Sequence, residues 1–419
     1  MTGQPKRRRR ASAPARRGGV GLALAGGGPL GGIYEIGTLL ALADSLEGLD
    51  LNDLDAYVGV SAGALVASGL ANGISPDQMY RLFIDDGHEA VLPPDIFLRP
   101  AFAEYGARVR SVPRLALRAA LRYLRDPLRS GPVDSLNTLA QAMPIGMFDN
   151  REIERFFGRL LAAPGRTNDF RELRRPLFLV AANLDTGASV VFGAPGHDHV
   201  PISRAASASA ALPGLFPPVV IDGEHYVDGA LNKTLHASVA LDHGVSLLLC
   251  VNPIVPYDAS AAGRRGRITF EKLGHGGLPV VLSQTFRAII HSRMKVGMEK
   301  YAAQYPGASV VLFEPDREDA QVFFANLFSY RQRKRTCALA YTKTRRNLAA
   351  RAGELGPVLA AHGIRLRLDR LADEHRHVTD AVRDPRPLHA DPDSPPTVRG
   401  TARDLDRALG ELERFLVRA

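Results

Sequence analysis

Along the first half of the chain, apolar runs alternate with stretches of helical periodicity. Residues 20–25 form a short apolar run bounded by glycines, the pattern of a strand buried on both faces of a parallel sheet. Residues 33–46 then place apolar side chains at helical spacing. A second apolar run, 56–60, leads through Ser61 into a small-residue helix over 62–72, which Gly73 closes. This β-α-β-α opening predicts an α/β fold: three layers, α/β/α, around a mostly parallel central sheet. Residues 177–182, 190–192, 219–221 and 247–251 read as further strands, with Asp185, Thr186 and Gly187 turning between the first two. Between 85 and 150 the pattern changes to proline-bounded helices, and helical periodicity returns over 279–361. Residues 373–400 are rich in Pro, Asp and His and lack periodicity, which marks a linker before an amphipathic helix over 403–417. The expected organisation is a basic tail over 1–19, an α/β domain over 20–345 with a helical cap insertion at 85–150, and a helical extension over 346–419. No internal repeat is present.

Charge sharpens this division. Of a formal +9, residues 1–17 hold +7 in Lys6, Arg7, Arg8, Arg9, Arg10, Arg16 and Arg17, leaving +2 for the rest. The tail has no apolar segment of the signal-peptide kind and reads as a disordered basic arm. A second concentration lies inside the cap, where Arg110, Arg114, Arg118, Arg122, Arg125 and Arg129 recur every three or four residues. That spacing draws one basic stripe along a helix, suited either to solvent or to anionic lipid headgroups. No apolar stretch approaches the ~18 residues of a membrane span. The expectation is a cytoplasmic protein that meets a membrane peripherally and binds no nucleic acid. Two cysteines, Cys250 and Cys337, make neither a disulfide framework nor a zinc set.

Chemistry concentrates at the ends of the first two strands. Gly59-Val60-Ser61-Ala62-Gly63 fits G-x-S-x-G where a strand meets a helix, the setting of a nucleophile elbow. The string itself is weak, since this composition yields roughly 0.2 accidental matches, so its placement carries the weight. The following helix aims its first amides, from Ala62 onward, at any oxyanion formed beside Ser61. Gly26-Gly27-Gly28-Pro29-Leu30-Gly31 also joins a strand to a helix and fits a dinucleotide-binding loop literally. Such a site wants an acid at the end of the second strand, and residues 56–62 contain none. For an acyl hydrolase, the same glycines present amides inward, Gly27 and Gly28 foremost, while Pro29 has no N–H to give. Asp228-Gly229 follows a short apolar run and offers a base. His236 and His243, downstream, leave a Ser-His-Asp triad open. Asp185-Thr186-Gly187 occurs once, where an aspartic protease needs two. His197-Asp198-His199 reads as a polar loop, and neither a metal nor a cofactor is implied.

With Ala208-Ser209-Ala210-Ala211-Leu212-Pro213, these motifs occur in the order that makes the chain resemble the patatin-like phospholipases, well over 20–251 and loosely beyond. The resemblance implies a Ser-Asp dyad, with Ser61 as nucleophile and Asp228 as base. It implies an oxyanion hole from Gly26, Gly27, Gly28, Gly31 and Ala62, with Gly59, Gly63 and Gly229 completing the motifs. The implied activity is lipid acyl hydrolysis through an acyl-serine, of phospholipids or acylglycerols. This sequence has Leu30 where the family often carries Arg or Lys, which leaves a catalytically silent lipid- or partner-binding protein as one alternative; a dinucleotide-dependent oxidoreductase, read from the glycine loop, is the other.

Overall fold

The computed structural model describes residues 18–85, 145–260, 273–319 and 332–382, with the isolated positions 101, 110 and 113. The elements in chain order are β1 (Gly19–Leu24), α1 (Gly28–Ser45), β2 (Leu46–Glu47), β3 (Ala56–Val60), α2 (Ala62–Ala71), α3 (Pro76–Phe83) and α4 (Arg151–Leu161). β4 (Leu177–Asn183), β5 (Ser189–Phe192), α5 (Ile202–Ser209), β6 (Val219–Ile221), β7 (Glu224–Asp228), α6 (Ser238–Asp242) and β8 (Val245–Val251) follow. The chain continues through α7 (Gly277–Gln304), β9 (Ser309–Phe313), α8 (Arg333–Ala350), α9 (Ala352–Ala360), β10 (Arg365–Leu366), α10 (Leu368–Ala372) and α11 (Val378–Ala381).

The main sheet runs β6-β7-β4-β3-β1-β8-β9, with β5 also paired to β4. Pairing is parallel from β4 through β3, β1 and β8 to β9, and antiparallel at the β5, β6 and β7 end. Period-two alternation divides the core. Leu22, Leu24, Tyr57, Leu247 and Leu249 face one apolar cluster, shared with α1, α2 and α4. Ala23, Val58, Val180, Leu248 and Cys250 face another, shared with α6 and α7. The result is the expected three-layer α/β/α arrangement with a mostly parallel sheet.

Three differences from the sequence reading have local causes. Helix α1 begins at Gly28, five residues before its apolar periodicity, because its first turn is made of Gly28, Pro29 and Leu30, and Pro is tolerated there. The helical reading of 279–361 is interrupted by β9, whose Ser309–Phe313 run pairs with β8 at the sheet edge. Residues 373–382, placed in a linker, instead carry α11 and bury Val378. Their anchor is Asp44 at the end of α1, 4% exposed, whose carboxylate accepts bonds from Arg370, Arg376 and Tyr341 at 2.7, 2.5 and 2.8 Å. Burial opposes the charge, but the bonds from Arg376 and Tyr341 hold that carboxyl below its usual range. Helix α8 packs along α1 and runs through residue 345, where the extension was expected to begin. The tail, most of the cap including its arginine stripe beyond Arg110, and the helix over 403–417 lie outside the described residues.

Candidate active site

The site sits at the carboxyl ends of β1 and β3, where α/β sheets bind ligands. β3 ends at Val60 and α2 begins at Ala62, so Ser61 alone makes the turn, at φ 56° and ψ −124°. A non-glycine residue in that region stores about 1–3 kcal/mol of strain and persists only if its surroundings hold it. Two close approaches do so. A Cβ on Gly63 would lie 2.6 Å from the Leu24 carbonyl, and one on Gly59 would lie 2.6 Å from Cα of Ala64, so α2 can fold tightly over β1 and β3 only with glycine at both positions. The third restraint is Ser209, at the end of α5. The Ser61 amide donates to the Ser209 hydroxyl at 2.9 Å, and that hydroxyl donates to the Val180 carbonyl at 2.6 Å.

Strand register brings the carboxylate to the serine. Val60 pairs with Val180 and Asp228 pairs with Ala181, so Ser61 and Asp228 reach the same level of β4 from opposite sides. The Ser61 hydroxyl donates to Oδ2 of Asp228 at 2.6 Å, and the Ala230 amide donates to Oδ1 at 2.9 Å. Gly229 lets this corner close, since a Cβ there would lie 2.2 Å from the Val180 carbonyl. Asp228 is 2% exposed and Ser61 6%. Burial drives the Asp228 pKa up from 3.8 to about 6, against the bonds from Ser61 and Ala230, which favour the ionised form. The carboxyl is therefore a stronger base than an exposed aspartate yet ionised at neutral pH, the setting a general base needs.

The glycine loop closes over this pair. Gly26 lies against Ser61, whose Cβ would be 3.0 Å from a Cβ at residue 26. Gly28 turns the chain at φ 61°. As members of the first turn, Gly28 and Leu30 keep amides outside the helical ladder, as Ala62 does on α2. Gly31 is a correction to the expected donor set: its amide donates to the Gly27 carbonyl at 3.0 Å, inside α1. Its small size serves packing, because a Cβ there would come within 3.2 Å of Pro253. A cavity of about 370 Å³ opens over Ser61, Ala62, Asp228, Gly27 and Gly28, walled by Leu30, Phe83, Phe157, Leu212, Phe216 and Ile290. That volume and apolar lining suit a small-molecule or acyl-chain site.

A family model described as patatin-like phospholipase matches residues 22–241. The chain belongs to this family. An uncharacterized NTE family protein of Mycobacterium tuberculosis is 30% identical over 123 residues, 29% of this chain and 19% of that protein, so the chain spans about a fifth of that relative. The crystal structure of VipD from Legionella pneumophila aligns at 15% identity over 79% of this chain and 66% of its own, with a TM-score of 0.35. That of the type III effector protein ExoU, from Pseudomonas aeruginosa, aligns at 17% identity over 87% and 61%, with a TM-score of 0.33. The family's span holds the glycine loop, the elbow, residues 208–213 and Asp228.

In this patatin-like chain the histidines of the alternative triad stand elsewhere. His236 is buried with Nε2 unbonded, and burial lowers its pKa to about 4. His243 bonds the Val239 carbonyl through Nδ1 and packs on Phe178. His199 pairs with Asp222 at 2.9 Å, and Asp185 to Gly187 form the β4–β5 turn. Among the described residues, no group of three His, Cys, Asp or Glu side chains is arranged to hold a metal. Ser209 was legible as part of a small-residue motif, but its hydrogen-bonding role was not.

Proposed function

We propose that this protein is a lipid acyl hydrolase that cleaves carboxylic esters of phospholipids or acylglycerols, with Ser61 as nucleophile and Asp228 as base. The observation that carries the reading is the 2.6 Å bond from the Ser61 hydroxyl to a buried carboxylate, made at the floor of an apolar cavity. Asp228 takes the hydroxyl proton as Oγ attacks the ester carbonyl. The negative charge that develops on the carbonyl oxygen falls to the amides of Gly27, Gly28 and Ala62 and to the positive ends of α1 and α2. Collapse of the tetrahedral intermediate returns the proton from Asp228 to the departing alkoxide and leaves an acyl-Ser61. Water, deprotonated by the same carboxylate, releases the fatty acid.

Work at a lipid surface is supported by α7. Leu282, Phe286, Ile289 and Val296 form one exposed stripe, 46%, 55%, 50% and 50% accessible. Ser283, Phe286, Arg287 and Ile290 of the same helix line the cavity, so the stripe borders its wall. No helix among the described residues is long and apolar enough to cross a membrane. A stripe of this kind suits shallow, peripheral insertion.

The test is a fluorophosphonate probe applied to purified protein. The expected result is label on the wild type, none on Ser61→Ala and little on Asp228→Asn, with fatty acid released from phospholipid micelles only by the wild type. A wild type that takes no label and releases no fatty acid makes the protein a lipid-binding relative without hydrolytic activity.

A further inference from the structure

The lining of the cavity divides by chemistry. Away from Ser61 and Asp228, its polar side chains among the described residues are Tyr34 on α1, Ser283 and Arg287 on α7, and Thr336 on α8. The lining that α2, α3 and α4 contribute is apolar without exception: Ala62, Leu65, Val66, Phe83, Ile153 and Phe157. A hydrocarbon chain gains most by following that second wall, where no polar group loses water to it. Its far end is braced. Phe157 meets Phe156 edge-on with ring centroids 5.5 Å apart, and Phe156 meets Phe83 in the same way at 6.4 Å.

Beside this wall, α1 carries a residue that a helix does not prefer. Gly32 lies in the second turn, buried, and lines the cavity. Glycine inside a helix is less stable than alanine, so its presence needs a cause. The other glycines of α1 have one in the backbone or in packing. Gly28 turns at φ 61°, a Cβ on Gly31 would come within 3.2 Å of Pro253, and one on Gly37 would lie 2.4 Å from the Cys337 carbonyl. Gly32 has neither cause. Its φ is outside the left-handed region, and a Cβ there would stand 3.6 Å from Cβ of Ala62 and 3.8 Å from Cγ2 of Val66, ordinary van der Waals distances. Alanine therefore fits. A longer side chain would run on toward Ala62 and Val66, both of which line the cavity, and would take up its space.

We propose that Gly32 is the position that determines acyl-chain length: its missing side chain leaves open a groove in which a long acyl chain lies, with the ester carbonyl at Ser61 and the methyl end toward Phe83 and Phe157. This rests on the hydrolase reading given above and adds which chains the site accepts. The groove starts at the nucleophile, because Ala62 follows Ser61 and faces Gly32. One turn further along each helix, about 6 Å on, Ile36 and Val66 continue the lining with apolar surface. A short acyl group ends beside Ala62 and is indifferent to what stands at position 32. A long one has to pass it, and every methylene shut out forfeits the burial that favours it.

The experiment measures kcat/KM of the full chain, Gly32→Ala and Gly32→Leu on the p-nitrophenyl esters of butyrate, octanoate and palmitate. The expected result is that the ratio of palmitate to butyrate falls by about tenfold or more in Gly32→Leu, the scale on which an apolar pocket discriminates by single methylenes, and falls less in Gly32→Ala. The Ala variant should also melt at or above the wild-type temperature, since the helix gains a better former in free space. A lowered melting temperature there makes the glycine a packing requirement and overturns the proposal. An unchanged ratio in Gly32→Leu overturns it too, as does an equal loss on all three esters, which puts the effect on the glycine loop. Val66→Phe narrows the same groove from α2 and should move the ratio in the same direction, so the proposal stays exposed even if Gly32→Leu does not fold. Displacement of a fluorescent fatty acid by octanoate and palmitate, on Ser61→Ala with and without Gly32→Leu, needs no turnover and separates this groove from the hydrolase reading. A long-chain preference that is lost with Gly32→Leu supports the groove even if no ester is cleaved. A preference that survives, or none to begin with, refutes the groove and leaves hydrolysis at Ser61 untouched.

Discussion

Replacing Asp228 by Asn is expected to destroy activity and stabilise the fold, with a gain that depends on pH. The carboxyl titrates near 3.8 when exposed and at about 6 in the folded chain, because burial disfavours its charge. Between these values the folded state holds a proton that the unfolded state has released, so stability contributed by that proton is lost as pH rises through about 6. A shift of about two units corresponds to roughly 3 kcal/mol of penalty carried by the folded protein at pH 8. Asparagine has nearly the same shape, can accept from the Ala230 amide as Oδ1 does, and carries no charge. Urea denaturation at pH 8 should therefore show Asp228→Asn more stable than wild type by up to about 3 kcal/mol, and the difference should vanish only well below pH 3.8, where both states hold the proton. Turnover should fall by about 10²–10⁴, the usual contribution of a general base, and wild-type kcat should rise with pH through about 6 as the carboxylate ionises. A variant that is less stable than wild type at pH 8, or a difference that does not change with pH, would refute the claim that an ionised, desolvated Asp228 sits beside Ser61.

Strain at Ser61 predicts that Ser61→Gly will be more stable than Ser61→Ala by about 1–2 kcal/mol in thermal or urea denaturation, since φ 56° suits only glycine; equal stabilities would remove the strain argument. Ser209→Ala leaves the buried Ser61 amide without its acceptor and should cost about 1–3 kcal/mol, with kcat falling and KM unchanged because the nucleophile loses its position while the cavity is intact. Asp44→Ala leaves two half-buried arginines and the Tyr341 hydroxyl without their shared acceptor and should destabilise by about 1–3 kcal/mol, with protease cleavage appearing first between 365 and 382 and fluorophosphonate labelling of the folded fraction slowed, because α1 loses its anchor.

Much of the site was readable because its chemistry is local. The glycine loop and the elbow each occupy one strand-to-helix junction, and a junction announces itself when periodicity changes from two to 3.6 around small residues. Asp228 needed the order of several motifs, since an Asp-Gly pair after a strand is an ordinary turn. Long-range partners were beyond reach. Ser209 acts on Ser61 across 148 positions, and its neighbours in the motif are alanines that differ from it only by a hydroxyl. Gly31 sits in a glycine run whose spacing cannot separate an amide that faces a cavity from one that closes a helical turn; only its bond to Gly27 does so. The β9 strand is five residues of Ser, Val, Leu and Phe, a pattern equally at home in a buried helix until β8 supplies a partner.

A site built on burial and strain has to be held by parts that take no share in the chemistry. The raised pKa of Asp228 and the backbone of Ser61 together cost the folded chain several kcal/mol, on the order of a third to a half of a typical domain's stability. The restraints that keep both in place are backbone contacts that no side-chain rotation can relieve, at Gly59, Gly63 and Gly229. Such contacts survive only if α1 and α2 stay fixed on the sheet, because a helix displaced by an ångström would open the 2.6 Å bond and let water solvate the carboxylate. That fixing is the work of α8, which packs along α1, and of residues 365–382, which cap the far end of α1 through Asp44 and pair β10 with β2. Residues 365–382 therefore support the candidate site through rigidity: they lie at the opposite end of α1 from the glycine loop and hold the helix that carries the loop.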